Sequence, residues 1–194
     1  MMLLDYIRSL PAYTKLINVH KTGEGNLLEL TDTSTVEAQI SFFIWALSKA
    51  RVLSVLEIGT NKGLFGLLLS ILRPNVDLTT IDINPNSILA ADILNSEVDL
   101  SYVYFFCGDS TKILPNIHDV YDFAWVDGNH NYEYALSDLH HCARLSIPYI
   151  AIDDTNMKSV AQAVETFLAE GVYKEIENPF ISRDSRKARL FTFV

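Results

Sequence analysis

Apolar runs of strand length alternate along this chain with segments of helical period, and that alternation leaves few folds open to it. Residues 52–56, 77–81, 102–106, 121–126 and 148–152 read as five strands, and 172–176 and 189–194 add two near the end. Such near-continuous hydrophobicity is what parallel strands need when helices cover both faces of their sheet. Val36, Ile40, Phe43, Ile44 and Leu47 fall on one face of a helix over 36–50, with Thr33, Ser34 or Thr35 as its cap and Glu37 near its positive end. Residues 63–72 are almost wholly apolar, so that helix is expected to be buried, and Pro74 stops it. Further helices are expected at 87–94, 110–116, 132–145 and 157–169, the last closed by Gly171. The expected fold class is α/β: a doubly wound, mostly parallel seven-stranded sheet flanked by helices.

The 194 residues suit one domain over 1–194, with 1–32 as an N-terminal helix and loop extension. Residues 20–33 are polar and glycine-bearing, a loop placed to act as a lid. Fifteen basic and 24 acidic side chains give a net charge of −9, which argues against nucleic acid or an anionic membrane as partner. The longest uncharged run, 38–48, is short of the roughly 18–20 residues that span a bilayer, and the start lacks the basic region of a leader. Cys107 at a strand end and Cys142 on a helix are too few for a disulfide framework, and both read as reduced thiols of a cytoplasmic protein. The aromatic residues of the first long helix offer a face for a homodimer. The charged run Arg183-Asp184-Ser185-Arg186-Lys187 reads as a solvated hairpin turn between the last two strands.

The chemistry concentrates where strands end. Glu57-Ile58-Gly59-Thr60-Asn61-Lys62-Gly63 joins the first strand to the buried helix as a Rossmann-like turn. Gly59 lets the backbone turn sharply, and Gly63 lets a ligand or strand approach the helix start. Asp82 ends the second strand 19 positions after Gly63, where an acid can grip the two hydroxyls of a ribose. The chain has Asn61 and Leu64 where a nicotinamide fingerprint wants glycines, and Lys62 precedes rather than follows the glycine of a phosphate-binding loop. Glu57 would repel a pyrophosphate and suits a cationic ligand, such as a sulfonium or an α-amino group. The inference is S-adenosylmethionine.

At these residues the sequence resembles the class I S-adenosylmethionine-dependent methyltransferases: Val55-Leu56-Glu57-Ile58-Gly59 through Gly63 is similar to their first motif, and Thr80-Ile81-Asp82 to their second. The resemblance implies that Glu57, Gly59, Thr60 and Gly63 line the methionine end, with Asp82 and Ile83 at the ribose. Gly108-Asp109-Ser110 is similar to the segment that contacts adenine, and without the family it is equally a helix N-cap turn.

Asp127 follows the apolar 123–126, and Asp153-Asp154 follow 150–152. If the two strands are neighbours, three carboxylates converge, and they repel one another unless a cation neutralises them. A hard divalent ion is the simplest partner, Mg2+ by default, with Ca2+ or Mn2+ as alternatives. Equally, Asp154 could cap the following helix and Asp153 could pair with a buried base. Asp127-Gly128-Asn129-His130-Asn131-Tyr132, with Asp138-Leu139 after it, resembles a small-molecule methyltransferase family related to the catechol and caffeoyl-CoA O-methyltransferases. Residues 33–39 and Gly108-Asp109-Ser110 with Leu114-Pro115 are similar to the same group. That resemblance puts the metal ligands on Asp127, Asp153 and Asp154, and Asp127 also among the cofactor and catalytic residues. His130 stands where those enzymes have a catalytic lysine, and is read as base, metal ligand or orienting group. Phe65 stands where the relatives carry a small hydroxyl residue. The expected activity is methyl transfer to a small-molecule acceptor, at a hydroxyl oxygen. A metal-independent enzyme or a non-catalytic S-adenosylmethionine-binding protein is the alternative.

Overall fold

The computed structural model describes residues 3–19, 33–49 and 51–194. Two short helices, α1 (Leu3–Ser9) and α2 (Pro11–Leu16), precede α3 (Thr33–Leu47). There follow β1 (Ser54–Ile58), α4 (Leu64–Leu72), β2 (Asp77–Asp82), α5 (Ile88–Glu97), β3 (Tyr102–Cys107) and α6 (Ser110–Ile113). The chain continues with β4 (Phe123–Val126), α7 (Tyr132–Arg144), β5 (Tyr149–Ile152), α8 (Lys158–Ala169), β6 (Tyr173–Ile176) and β7 (Arg189–Phe193). The seven strands form one sheet in the order β3-β2-β1-β4-β5-β7-β6. The β1–β2, β1–β4, β2–β3 and β4–β5 pairs are parallel, and β7 is antiparallel to both β5 and β6. This is the expected α/β architecture.

Strand alternation divides the interior in two. Val55, Trp125 and Ala151 face α3, α4 and α5, while Leu56, Ile58, Val126 and Ile152 face α7 and α8. α4 is buried as expected and starts at Gly63, which supplies a left-handed cap (φ 73°). α1 packs on α2, and α2 in turn on α4 and α5, so this stretch adds to the core.

Four expectations change. The helix expected over 110–116 is one turn of α6 and then a 3-10 turn, Leu114–Asn116, because Pro115 withholds an amide hydrogen. β3 is not covered on both faces: Tyr102, Tyr104 and Phe106 are exposed, since β3 is the sheet's edge and α6 is too short to cover it. In α3, Ile44, expected on the packed face, is exposed, whereas Phe42 and Phe43 are buried against Trp125 and Trp45 packs on the same core. The fourth, residues 183–187, belongs to the site below. The expected caps at Thr33, Ser34 and Thr35 lie outside the described side chains, and the expected lid loop lies over 20–32 outside the described residues. Among the described residues no helix is long and apolar enough to cross a membrane, and both cysteines are free, Cys107 exposed and Cys142 buried.

Candidate active site

From β1 the chain winds outward to β2 and β3, then returns to the other side of β1 as β4. At such a reversal the loops leaving the strands part and open a crevice beyond their carboxyl ends. A cavity of about 420 Å³ lies there, walled by residues 57–61 after β1, 81–84 after β2, 108–110 after β3 and 127–130 after β4. Asp153 and Arg186 close one side, and Phe43, Phe65, Leu68 and Trp125 give it an apolar flank. Phe65 stacks on Trp125 at 5.7 Å between ring centroids. Of the residues singled out from sequence, Gly63 and Asp154 are outside this wall.

The turn after β1 is fixed by backbone contact. Gly59 adopts φ 101° and donates its N–H to Ile81 O at 2.8 Å; a Cβ there would lie 2.0 Å from the carbonyl oxygen of Asp127. At Gly63 a Cβ would meet Ala90 at 3.0 Å, so it is α5, not a ligand, that approaches the start of α4. Glu57 is buried on β1 and opposite Thr80 in register. The Thr80 hydroxyl donates to Glu57 Oε2 at 2.5 Å, which spends its only proton, so Thr60, 2.5 Å from Thr80, must donate to it. Burial pushes the Glu57 carboxyl well above its ordinary range; the Thr80 bond opposes this, and Asp127 and Asp82 add to it. The charges acting on Glu57 are thus negative, an environment that a positively charged ligand relieves.

Asp82 is held at the end of β2 by two backbone amides, Asn61 N on Oδ2 at 2.6 Å and Asn84 N on Oδ1 at 2.8 Å. Each oxygen keeps a lone pair for a ligand hydroxyl. Asp109 is the N-cap of α6, accepting from Thr111 N at 3.0 Å and Thr111 Oγ1 at 2.7 Å through Oδ1, with Oδ2 3.9 Å from the exposed Lys112 Nζ. The N-cap reading of Gly108-Asp109-Ser110 is therefore realised, on the cavity wall.

Beneath that wall Asp138 of α7 is fully buried, 3.4 Å from the position of a Cβ on Gly128. Burial pushes its carboxyl up to about 7, opposed by the Ser110 hydroxyl and helped by Asp109. A carboxyl whose proton affinity rises on folding stabilises the fold while protonated, fully below its unfolded value and progressively less as pH climbs to about 7. Asp138→Asn should therefore flatten the pH dependence of stability between about pH 4 and 7, and should exceed the parent at pH 8 by about 2–4 kcal/mol. Urea melts across this range check it, and parallel curves for the two proteins would contradict it.

The acids after β4 and β5 meet because those strands are neighbours, Val126 opposite Ile152. Asp154 sits in the left-handed region (φ 53°), a strained backbone for a non-glycine residue. The cation among the acids is Arg186. Its Nε lies 2.8 Å from Asp154 Oδ1 and 3.2 Å from Asp153 Oδ2; its Nη2 lies 2.6 Å from Asp154 Oδ2 and 3.7 Å from Asp127 Oδ1. Burial opposes the guanidinium's charge, but the Asp154 bonds and the charges of Asp153, Asp127 and Asp154 outweigh it and hold its proton more firmly than usual. Asp153 is itself pushed well above the ordinary range, by burial first and then by Asp127. His130 Nε2 lies 3.6 Å from Asp127 Oδ1 and 3.3 Å from Asp154 Oδ2. The Asp127 carboxylate beside it raises its proton affinity against the effect of burial.

Arg186 overturns the reading of 183–187 as a solvated turn. Asp184 is buried, accepting from Arg186 N and Ala188 N at 2.9 Å each. Gln39 of α3, also buried, donates to Asp153 Oδ1 at 3.0 Å and to Asp184 Oδ1 at 3.3 Å. Sequence reasoning missed all three residues in these roles. The only signal was the density of charge at 183–187 beside an apolar strand. His140 and His141 stay outside the site, with His140 2.7 Å from Glu170 at the surface.

The expected metal set of Asp127, Asp153 and Asp154 does not fit a divalent ion in this arrangement. Oxygen atoms of Asp127 and Asp154 and a nitrogen of His130 do lie within 4.8 Å of one another. However, the guanidinium holds both oxygens of Asp154 and one of Asp153, and the other oxygen of Asp153 is bonded to Gln39. An ion would have to displace Arg186 from its ligands.

An open sheet of this order, with its cavity at the reversal around β1, defines a Rossmann-like protein of the class I methyltransferase fold. Residues 56–155 match the model of a methyltransferase domain family, and the chain belongs to that family. No curated protein sequence matches it. Among solved structures it is similar to the N-methyltransferase NodS of Bradyrhizobium japonicum WM9 in complex with S-adenosyl-L-homocysteine (18% identity, TM-score 0.63, 94% of this chain and 97% of that one). It is also similar to the O-methyltransferase TomG of Streptomyces achromogenes in complex with SAM (18%, 0.63, 100% and 99%). A third is a Staphylococcus aureus protein described as a caffeoyl-CoA O-methyltransferase (17%, 0.64, 93% and 97%). At these identities the likeness is one of fold.

Proposed function

We propose that the protein is an S-adenosylmethionine-dependent methyltransferase whose acceptor is a hydroxyl oxygen of a small molecule. The observation that carries this reading is the pairing, across one cavity, of a buried carboxyl pressed by negative charge (Glu57) with a carboxylate at the end of β2 whose lone pairs remain available (Asp82). Glu57 faces the positively charged methionine end, with Gly59 and Thr60 shaping the turn around it and Gly63 setting the start of α4. Asp82 accepts from the ribose hydroxyls, beside Ile83. Asp109 accepts from the adenine amine through Oδ2, with Gly108 and Ser110 alongside. When bound, S-adenosylmethionine supplies a methyl group already activated by its sulfonium.

A hydroxyl acceptor must lose its proton for transfer, whereas a neutral amine attacks without prior deprotonation. His130, 3.6 Å from Asp127, is the base within the cavity that receives that proton. Ser159 Oγ donates to His130 O at 2.6 Å and fixes the backbone that carries the ring.

Calorimetry should show stoichiometric uptake of S-adenosylmethionine, and labelled methyl should pass to a member of a panel of hydroxylated metabolites. His130→Ala should keep donor affinity within a few-fold while kcat falls by about 10²–10⁴. No uptake by folded protein defeats the reading, and undiminished transfer by His130→Ala removes the base.

A further inference from the structure

We propose that Arg186 stands where a divalent ion would otherwise gather the carboxylates after β4 and β5, so that the site works without metal and meets its acceptor oxygen with an arginine N–H. The inference rests on the methyltransferase reading for the acceptor, and on geometry alone for the displacement of the ion.

A hard ion such as Mg2+ needs carboxylate oxygens at about 2.0–2.1 Å in a nearly octahedral shell. The guanidinium plane already faces Asp154 through two parallel bonds, 2.8 and 2.6 Å, and reaches Asp153 at 3.2 Å and Asp127 at 3.7 Å. It cannot leave by losing its charge, because arginine does not deprotonate in proteins. Nor is it a long side chain that happens to lie there. Its own N–H is fixed by Asp184, its carbonyl accepts from Asn156 N at 3.3 Å, and the next carbonyl, of Lys187, accepts from Thr155 Oγ1. Asn178 Nδ2 donates to Ala188 O at 2.8 Å, and Gln39 ties Asp184 to Asp153. Four buried polar side chains, Asp184, Gln39, Asn178 and Thr155, and one backbone bond thus shape a loop whose product is one cation among three acids. Nη1 makes no hydrogen bond to a described residue, and Arg186 lines the cavity, so its two N–H groups are available to the acceptor. Preorganised N–H donors stabilise an oxygen that is giving up its proton, the task otherwise assigned to a metal.

The test is Mn2+ binding, followed by electron paramagnetic resonance on the full chain. The parent should take up no Mn2+ at millimolar concentration, while Arg186→Met, its acids left without a counter-charge, should gain affinity by roughly tenfold or more. Arg186→Lys keeps the charge and should behave as the parent. Stoichiometric Mn2+ on the parent overturns the proposal whether or not the variants fold, and so does a folded Arg186→Met that gains no affinity. S-adenosylmethionine calorimetry on the same parent sample separates the two ideas. Absent donor uptake defeats the methyltransferase reading, while the Mn2+ result still decides what holds the carboxylates.

Discussion

Asp82→Ala lowers affinity for S-adenosylmethionine by about 100-fold or more. Two hydrogen bonds from ribose hydroxyls to a carboxylate are together worth about 3 kcal/mol, close to a 150-fold change in Kd. The loss is compounded because Asp82 also anchors Asn61 N and Asn84 N, which shape the loops on either side. Asp82→Asn is the milder change: it keeps one acceptor oxygen, for one of the two loop amides, and loses the charge. Calorimetry on both variants, with circular dichroism to confirm the fold, checks the expectation, and unchanged Kd in Asp82→Ala would refute the ribose role.

Gly59→Ala is the most damaging small substitution expected in the site. Its Cβ would stand 2.0 Å from the carbonyl oxygen of Asp127 and 2.6 Å from the carbonyl carbon, and neither can rotate aside as a side chain would. Relief requires β1 and β4 to separate at their carboxyl ends, where Asp127 N donates to Ile58 O at 2.8 Å. A loss of about 3 kcal/mol or more is expected, which in a domain of this size lowers Tm by roughly 6–12 °C. Donor binding should go with it. Gly171→Ala is the control: its φ is +74° but nothing lies within 4 Å, so only backbone strain of about 1 kcal/mol is felt. Equal Tm for the two variants would show that the close approach to Asp127 carries no weight.

The strands were legible because most begin and end where apolar runs do. β2, β3 and β5 start within one residue of the expected positions. β1 extends past the expected 52–56 to Ile58 because the charged residue within it, Glu57, is buried, whereas a hydropathy pattern reads that residue as the end of a strand. Asp82, Asp127 and Asp153 were legible for a related reason: each acid directly follows a buried strand or ends it, and the sheet's geometry then carries them to one rim. Arg186, Asp184 and Gln39 obey no such local rule. Gln39 and Asp184 are 145 positions apart, and only the insertion of β7 between β5 and β6 brings them together. A charged run looks the same in sequence whether water or three carboxylates solvate it.

The order of the strands also sets a timetable for synthesis. A ribosome releases Asp127, Asp153 and Asp154 well before Arg186, which follows Asp154 by 32 positions, and β7 must still emerge to carry the arginine to its place. Until then the nascent rim holds three acids without the guanidinium that ties them together. This corner therefore matures only after β4 and β5 have been made, and the growing polypeptide keeps the rim unfinished until β7 has emerged.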